Sequence, residues 1–328
     1  MKNKIIFLII ESIKNPKKFF HVFKKKIFTI PSLDFLKKIK SKKIKLMYIN
    51  FWIFFSKKNI SFKKFFFESS ENYKDINFFF KKEKVVNENM IRSLAYNGVI
   101  IIENILNDEN LNKLKSKIDF LKNNKNNLEK IYATKKANLK VSEDTSRARL
   151  VYRYEEANFE ELNFLCESLS SLVYGKKLEP TRDLYIDYCN KIPEAKVRGD
   201  NFLHVDRFLP NLKILYSPNE ITLEDAPFTY SLNSHKINKK YKNYIINAKN
   251  FDETDIEAKD FIQNKRMITL KSNSAIVALT NGFHGRKSFN RVGERIILFH
   301  QFNLSFTKLS FLNFVNYNQD NIFFKNDW

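Results

Sequence analysis

Asn201-Phe202-Leu203-His204-Val205-Asp206-Arg207-Phe208-Leu209 is the stretch whose reading decides the fold. Its spacing His204-x-Asp206 predicts an extended segment, because side chains two apart on a strand point to the same side. An imidazole and a carboxylate placed this way converge on one point. They make two thirds of a two-histidine, one-carboxylate face that leaves positions open on a bound metal. The tripeptide alone is common by chance, so the reading needs a second histidine far along the chain and a group able to hold a co-substrate.

The totals set the frame. A chain of 328 residues that is 43% hydrophobic has room for one large domain plus an extension, or for two modest domains. Two cysteines, Cys166 and Cys189, make neither a disulfide framework nor a metal-type spacing, and point to a reducing, cytoplasmic compartment. With six glycines and no phosphate-binding glycine loop, dinucleotide-binding and P-loop readings fail. The net charge of +22 raises nucleic acid and anionic membranes as partners. The excess is mostly lysine, with no arginine before Arg92, whereas phosphate and base readers favour arginine forks. No specific nucleic-acid partner is expected.

Residues 1–85 read as a basic, aromatic-rich helical extension. Met1 to Ile10 imitates the start of a signal peptide, but Glu11 ends the apolar run and no cleavage site follows. Ile44 to Phe55 carries Lys45 and falls short of the roughly 20 residues a bilayer span needs. Clusters such as Lys17-Lys18-Phe19-Phe20 and Lys63-Lys64-Phe65-Phe66-Phe67 fit two readings: peripheral contact with the anionic inner face of a membrane, or aromatic residues packed on the main domain with solvated lysines. The second is preferred, and His21 is assigned a structural place there.

From about residue 86 the pattern becomes regular. A helix is predicted over Asn89 to Tyr96, stopped at Asn97-Gly98, then a strand Val99 to Ile102. A second helix, capped by Asn107 or Asp108, runs to Asn123 with Leu111, Leu114, Ile118 and Leu121 on one face. Residues 124–150 read as polar loops around a short strand, Tyr154 to Tyr174 as a helix, and Leu184 to Tyr188 as a strand. Arg198-Gly199-Asp200 reads as a turn. Strands follow at Leu212 to Tyr216, Ala226 to Tyr230, Met267 to Leu270, Ser274 to Leu279 and Glu294 to Phe299, with a charged, partly helical insertion over 237–266. Short strands with turns between them predict an α+β chain with a mainly β core, an antiparallel double-sheet barrel or jelly roll.

The ordered set His204-x-Asp206, Lys213, Pro227-Phe228, Ser234-His235-Lys236, His284 and Arg295 resembles the phytanoyl-CoA dioxygenase-like family over residues 87–305. That resemblance implies a double-stranded β-helix over 86–305, with 306–328 as a tail. It also implies an Fe(II) centre, with 2-oxoglutarate and O2 as co-substrates. His204, Asp206 and His284 correspond to the iron ligands. Arg295, eleven residues beyond His284, corresponds to the arginine that grips 2-oxoglutarate. The chemistry suits these residue types: three ligands on one face leave positions for a bidentate 2-oxo acid and dioxygen, and an arginine fork holds its distal carboxylate. Arg295, Ile297 and Phe299 share one strand face, so the guanidinium projects among apolar neighbours. A buried guanidinium lacking a carboxylate is costly, which points to a ligand.

Other assignments stay open on residue type. His235 is a second candidate for the third ligand, in a loop that the resemblance puts beside the active-site mouth, and His300 faces away from Arg295 on its strand. Arg291 is a second candidate for the carboxylate clamp, and Lys213 either reaches the co-substrate or snorkels at the rim. The chain departs from the family's habit at Leu203, where tryptophan is frequent, at Ala226 for glycine, and at Leu232-Asn233 for Pro-Gly. Those loops shape the mouth, so the substrate is expected only as a small metabolite or a glycan or lipid intermediate. The expected reaction is hydroxylation of an unactivated C–H with release of succinate and CO2. Asp206 keeps the position that a halogenating relative would leave open. A non-catalytic jelly-roll binding module is the alternative. A nucleic-acid demethylase is disfavoured, because Arg286, Arg291 and Arg295 do not reproduce that family's arginine pair.

Overall fold

A computed structural model describes residues 33–56, 87–123, 137–141, 147–153, 159–174, 177–189 and 202–302. The expectations for Met1 to Ile10, His21, the clusters at Lys17 and Lys63, the Arg198-Gly199-Asp200 turn and the tail 306–328 fall outside them. Helices α1 (Leu33–Lys38) and α2 (Lys42–Ser56) come from the basic extension. Their apolar side chains Leu36, Ile49, Trp52 and Ile53 are buried in the main core, and the Tyr48 ring lies 5.9 Å from Phe208. Amphipathicity is spent on packing here, and no helix among the described residues is long and apolar enough to cross a membrane.

Helix α3 (Glu88–Asn97) begins where Asn87 Oδ1 accepts the Met90 N–H at 3.0 Å. It stops at Gly98, whose φ of +84° lets its N–H donate back to Leu94 O. The chain turns at once into β1 (Val99–Glu103), and Asn107 caps α4 (Asp108–Asn123) through the Asn110 N–H. Then follow β2 (Ala137–Val141), β3 (Arg147–Arg153), α5 (Glu160–Tyr174), β4 (Thr181–Cys189), β5 (Leu212–Ser217) and β6 (Phe228–Ser231). The chain continues through α6 (Lys239–Asn247), β7 (Lys265–Ile268), β8 (Ser274–Leu279), β9 (His284–Arg286) and β10 (Gly293–Gln301).

The strands form two antiparallel sheets, one in the order β1-β8-β5-β10-β4-β3-β2 and one in the order β7-β6-β9. Period-two alternation gives the large sheet two faces with different partners. Leu184, Ile186, Ile214, Val277, Ile296 and Leu298 join the core shared with the helices. Their neighbours Tyr185, Leu215, Ile276, Ile297 and Phe299 pack toward Phe228, Tyr230 and Ile268 of the small sheet. The fold is therefore the expected jelly roll with flanking helices. Its sheets face each other without closing into a barrel.

Two expectations need correcting. The segment read as loops around a short strand carries two strands, β2 and β3, and β3 pairs along β4 from Arg147↔Cys189 to Arg153↔Asp183. Its polar composition hid strands whose pairing is carried by the backbone, which covers what would be an open sheet edge. The charged insertion also buries more than its composition suggests: Tyr241, Tyr244, Ile245, Phe251 and Ala258 all enter the core.

Candidate active site

His204 does not sit on a strand, contrary to expectation. It makes single antiparallel bridges to His284 and to Asp252. The His204 N–H donates to His284 O at 2.8 Å and the His284 N–H returns to His204 O at 2.9 Å. The two histidines, eighty residues apart in sequence, are thus clamped backbone to backbone. On either side, the Val205 N–H donates to Phe251 O and the Asp206 N–H to Thr280 O, so the insertion and the end of β8 finish the frame. The convergence expected of a strand arises instead from this pairing.

The imidazoles are oriented alike. Nδ1 of His204 lies 3.0 Å from Phe202 O, and Nδ1 of His284 lies 3.0 Å from Gly282 O. An Nδ1–H donated to a carbonyl fixes the tautomer and leaves Nε2 bare as a ligand atom. Both Nε2 atoms face Asp206, at 3.6 Å for His204 and 3.3 Å for His284. One ligand atom from each of the three residues lies within 4.8 Å of the others. Burial pulls the His284 imidazole below its usual pKa in spite of Asp206, which keeps it neutral. Burial alone would raise the Asp206 carboxyl, but His284, His204 and Lys213 outweigh it and hold the group well below the usual carboxylate range. A deprotonated carboxylate facing the Nε2 atoms of two imidazoles is a donor set suited to a divalent transition metal.

Lys213, on β5, is 13% exposed, presses Nζ against Asp206 Oδ2 and passes 5.2 Å from the Phe299 ring centre. It is inside the site and does not snorkel at the rim. Arg295, on β10, points inward with Ile297 and Phe299 into a cavity of about 260 Å³ that His204, Asp206 and His284 also line. The expectation that its guanidinium lacks an internal carboxylate is wrong. Arg295 Nη2 donates to Asp187 Oδ2 at 2.7 Å, and its Nη1 donates to Ala226 O. Asp187 stands directly opposite on β4 and is 4% exposed at its side chain. Arg295 Nε–H remains buried without an acceptor among the described residues.

Arg291 is held elsewhere: it is half-exposed, bound to Asp225 at 2.7 Å, and does not line the cavity. His235 is not at the mouth. It is buried behind the site, with Nε2 3.0 Å from Ala95 O, and burial drops its pKa to about 4. Its neighbour Ser234 accepts the Phe283 N–H, and the Asn281 amide donates to His235 O, so this motif buttresses the turn that delivers His284. Gly282 is required in that turn, because a Cβ there would collide with Tyr230 Oη and Ser234 Oγ. His300 is fully buried among the groups on the other face of β10, and burial lowers its pKa to about 3.

Sequence reasoning missed Asp187 and the role of Arg286. Arg286 lies on β9 two residues after His284, lines the same cavity, and donates from Nη1 to the same Asp187 Oδ2 at 3.0 Å. The signal was present in Leu184-Tyr185-Ile186-Asp187. Tyr185 and Asp187 alternate with two core aliphatics, so Asp187 had to share the inner face.

No protein-family model matches the chain, and no curated protein sequence does. Among solved structures it is similar to the non-heme α-ketoglutarate-dependent carbocyclase SnoK of nogalamycin biosynthesis, at 10% identity and a TM-score of 0.45, over 66% of this chain and 84% of that one. It is also similar to HygX of Streptomyces hygroscopicus, crystallised with nickel and 2-oxoglutarate, at 14% identity and a TM-score of 0.42 over 68% and 89% of the two chains. The apo form of EctD from S. alaskensis matches at 13% identity and a TM-score of 0.42, over 66% and 77%. Likenesses this slight transfer no chemistry, and the site stands on its own geometry.

Proposed function

We propose that this chain is an Fe(II)- and 2-oxoglutarate-dependent oxygenase of the phytanoyl-CoA dioxygenase-like kind, hydroxylating a small organic substrate. The observation that carries the reading is the His204–Asp206–His284 cluster, with both Nδ1 atoms tied to carbonyls and both Nε2 atoms turned to one carboxylate. Those three residues would hold the iron. Arg295 and Lys213 would bind the co-substrate, and the buried Nε–H of Arg295 offers a donor that no acceptor among the described residues uses. Bound there, iron with 2-oxoglutarate and dioxygen supplies the oxidising power, turning the co-substrate into succinate and CO2 and delivering an oxygen atom to a C–H bond.

The protein's own work is placement and exclusion. The reciprocal His204–His284 hydrogen bonds hold two ligands at fixed separation before any metal arrives, so little ordering remains to be done on binding. Asp206 stays deprotonated, and Lys213 stands against it as a counter-charge. Phe228, Ile297 and Phe299 keep the cavity wall apolar, which strengthens each charge–charge contact inside. The catalytic unit on this reading is residues 86–305.

Anaerobic titration of the apo-protein with Fe(II) and then 2-oxoglutarate tests this. A weak visible charge-transfer band should form in the wild type and be absent in His204→Ala and Arg295→Ala. Iron binding without any band would remove the co-substrate from the reading. Failure to bind either would leave a jelly-roll binding module.

A further inference from the structure

We propose that Asp255, in the charged insertion, is a positioning residue for the metal site: its carboxylate holds Phe251 in a strained turn whose carbonyl fixes the backbone between His204 and Asp206. This rests on the metal-binding half of the oxygenase reading. It gives the insertion over 237–266 a task that its composition does not suggest.

The backbone around His204 has two flanks. His284 holds one through the reciprocal bonds described above. The loop 251–253 holds the other: the Val205 N–H donates to Phe251 O at 3.0 Å, and the Glu253 N–H donates to Leu203 O at 2.7 Å. On the His284 side the partner is a strand, β9, paired along β6. The loop 251–253 belongs to no strand among the described residues, so other bonds have to fix its shape.

Asp255 supplies them. It is 6% exposed, and its carboxylate accepts three successive main-chain N–H groups. Lys249 at 3.0 Å and Asn250 at 3.1 Å donate to Oδ1, and Phe251 at 2.7 Å donates to Oδ2. The conformation held this way is unfavourable by itself. Phe251 has φ of +63°, in the left-handed region that a bulky side chain seldom occupies, and such residues persist only where their surroundings over-determine them. Its ring is buried edge-on to Tyr244, with Lys37 Nζ of α1 5.7 Å from the ring centre. From outside, α2 packs on α6 and places Lys45 where burial lowers its pKa and the Asp255 charge opposes the fall.

The placement of strain points to the site. Among the described residues five non-glycines have a left-handed φ, and three are asparagines, which tolerate it. The other two, Phe251 and Ala226, both give their carbonyls to the site: Phe251 to Val205, and Ala226 to Arg295. A loop that only joined α6 to β7 would need no left-handed phenylalanine.

The test is Co(II) calorimetry under nitrogen on the full chain, with amide hydrogen exchange followed by NMR in the metal-free protein. Asp255→Ala should weaken Co(II) binding about tenfold, the low end of what partners behind a ligand contribute. It should also speed exchange at Val205 by a larger factor than at Val277 in β8. Asp255→Asn keeps one acceptor oxygen and should fall between. Leu114→Ala, on α4 and outside the cavity wall, loses core packing and should leave Co(II) affinity unchanged. Unchanged affinity in Asp255→Ala, or an equal loss in Leu114→Ala, overturns the proposal and leaves Asp255 as a cap that serves the fold alone. If Asp255→Ala does not fold, Asp255→Asn decides by the same comparison. If the wild type binds no metal, the oxygenase reading fails; selective exchange at Val205 then keeps the brace, and its absence removes that too.

Discussion

The cavity holds two charged groups built by opposite means. The His204–Asp206–His284 group is placed by the main chain, through reciprocal backbone hydrogen bonds, carbonyls that fix each Nδ1, and a buttress from Ser234 and His235. The Asp187–Arg286–Arg295 group is placed by strand register, and its geometry is set by side chains bonding to one another, Asp187 to Arg295 across a strand pair and to Arg286 across the gap between sheets. A backbone-built site is stiff and suits a metal, whose ligand distances tolerate little error. A site made of ion pairs can exchange partners, which suits organic acids that come and go.

The sharpest break in that contrast is Asp206→Ala. It should lower Fe(II) or Co(II) affinity at least about 100-fold, as first-sphere ligand loss exceeds the 10–100-fold typical of outer partners, while circular dichroism stays unchanged. If metal binding survived, the stiff group would not be a metal site. In the other group, Asp187→Ala takes the buried Arg295 guanidinium's carboxylate away and should cost about 3 kcal/mol in urea unfolding, because breaking a buried pair strands its charge. Added glutarate should return part of that loss, since a ligand bound only by the folded state stabilises it. No rescue would mean that this group is not an exchangeable acid site.

Acid separates the two by the histidines behind them. His235 supports the turn that delivers His284, whereas His300 lies on the strand that carries Arg295. Both are buried and both pKa values fall, to about 4 and about 3. Below pH 6.5 the unfolded chain protonates these imidazoles and the folded chain does not. The unfolded state then binds more protons, and stability drops as pH is lowered through that window. For His235 the drop is on the order of 3 kcal/mol by pH 4. His235→Gln should flatten the pH dependence of the urea midpoint between 6.5 and 4, and an unchanged slope would show that His235 does not report on the turn.

The same division governs what could be read beforehand. His204, Asp206 and His284 were legible because their chemistry is scarce: the chain has five histidines, and one pair with the right order and a carboxylate partner stands out. The mechanism of their convergence was not legible, since a lone bridge from His204 to both His284 and Asp252 has no periodic signature. Arg295 was correctly placed facing inward by alternation, yet its carboxylate partner lay 108 residues upstream on a strand whose register no local pattern declares. Where β2 and β3 lie a single short strand was expected, and the second was missed for the related reason that edge pairing is a backbone property. The helices beside Asn87, Gly98 and Asn107 were read almost to the residue, because caps are local chemistry.

Gly282→Ala probes the stiff group once more, with a smaller effect. The new methyl meets Tyr230 Oη and Ser234 Oγ, both buried and both hydrogen-bonded, so neither can easily withdraw. A loss of about 1–3 kcal/mol is expected, with metal affinity falling too because His284 follows two residues later. Stability lost with metal affinity intact would show that the ligand is positioned independently of its turn.

The smallest effect is expected at Ala226, and it bears on the exchangeable group. Ala226 has φ of +54°, a left-handed conformation that costs a side-chain-bearing residue on the order of 1 kcal/mol, and its carbonyl accepts from Arg295. Ala226→Gly removes that cost and adds unfolded-state entropy, so a net gain of up to about 1 kcal/mol is expected in the urea midpoint. Asn233, at φ of +67°, is the internal control: asparagine tolerates this conformation, so Asn233→Gly should gain less. If Ala226→Gly instead destabilises, the carbonyl's hold on Arg295 depends on a strained backbone that glycine lets relax, and the acid group is stiffer than its side-chain bonds imply. A gain at Ala226 with unchanged 2-oxoglutarate affinity would show the reverse: Arg295 is positioned by Asp187 across the strand pair, and the loop merely accommodates it.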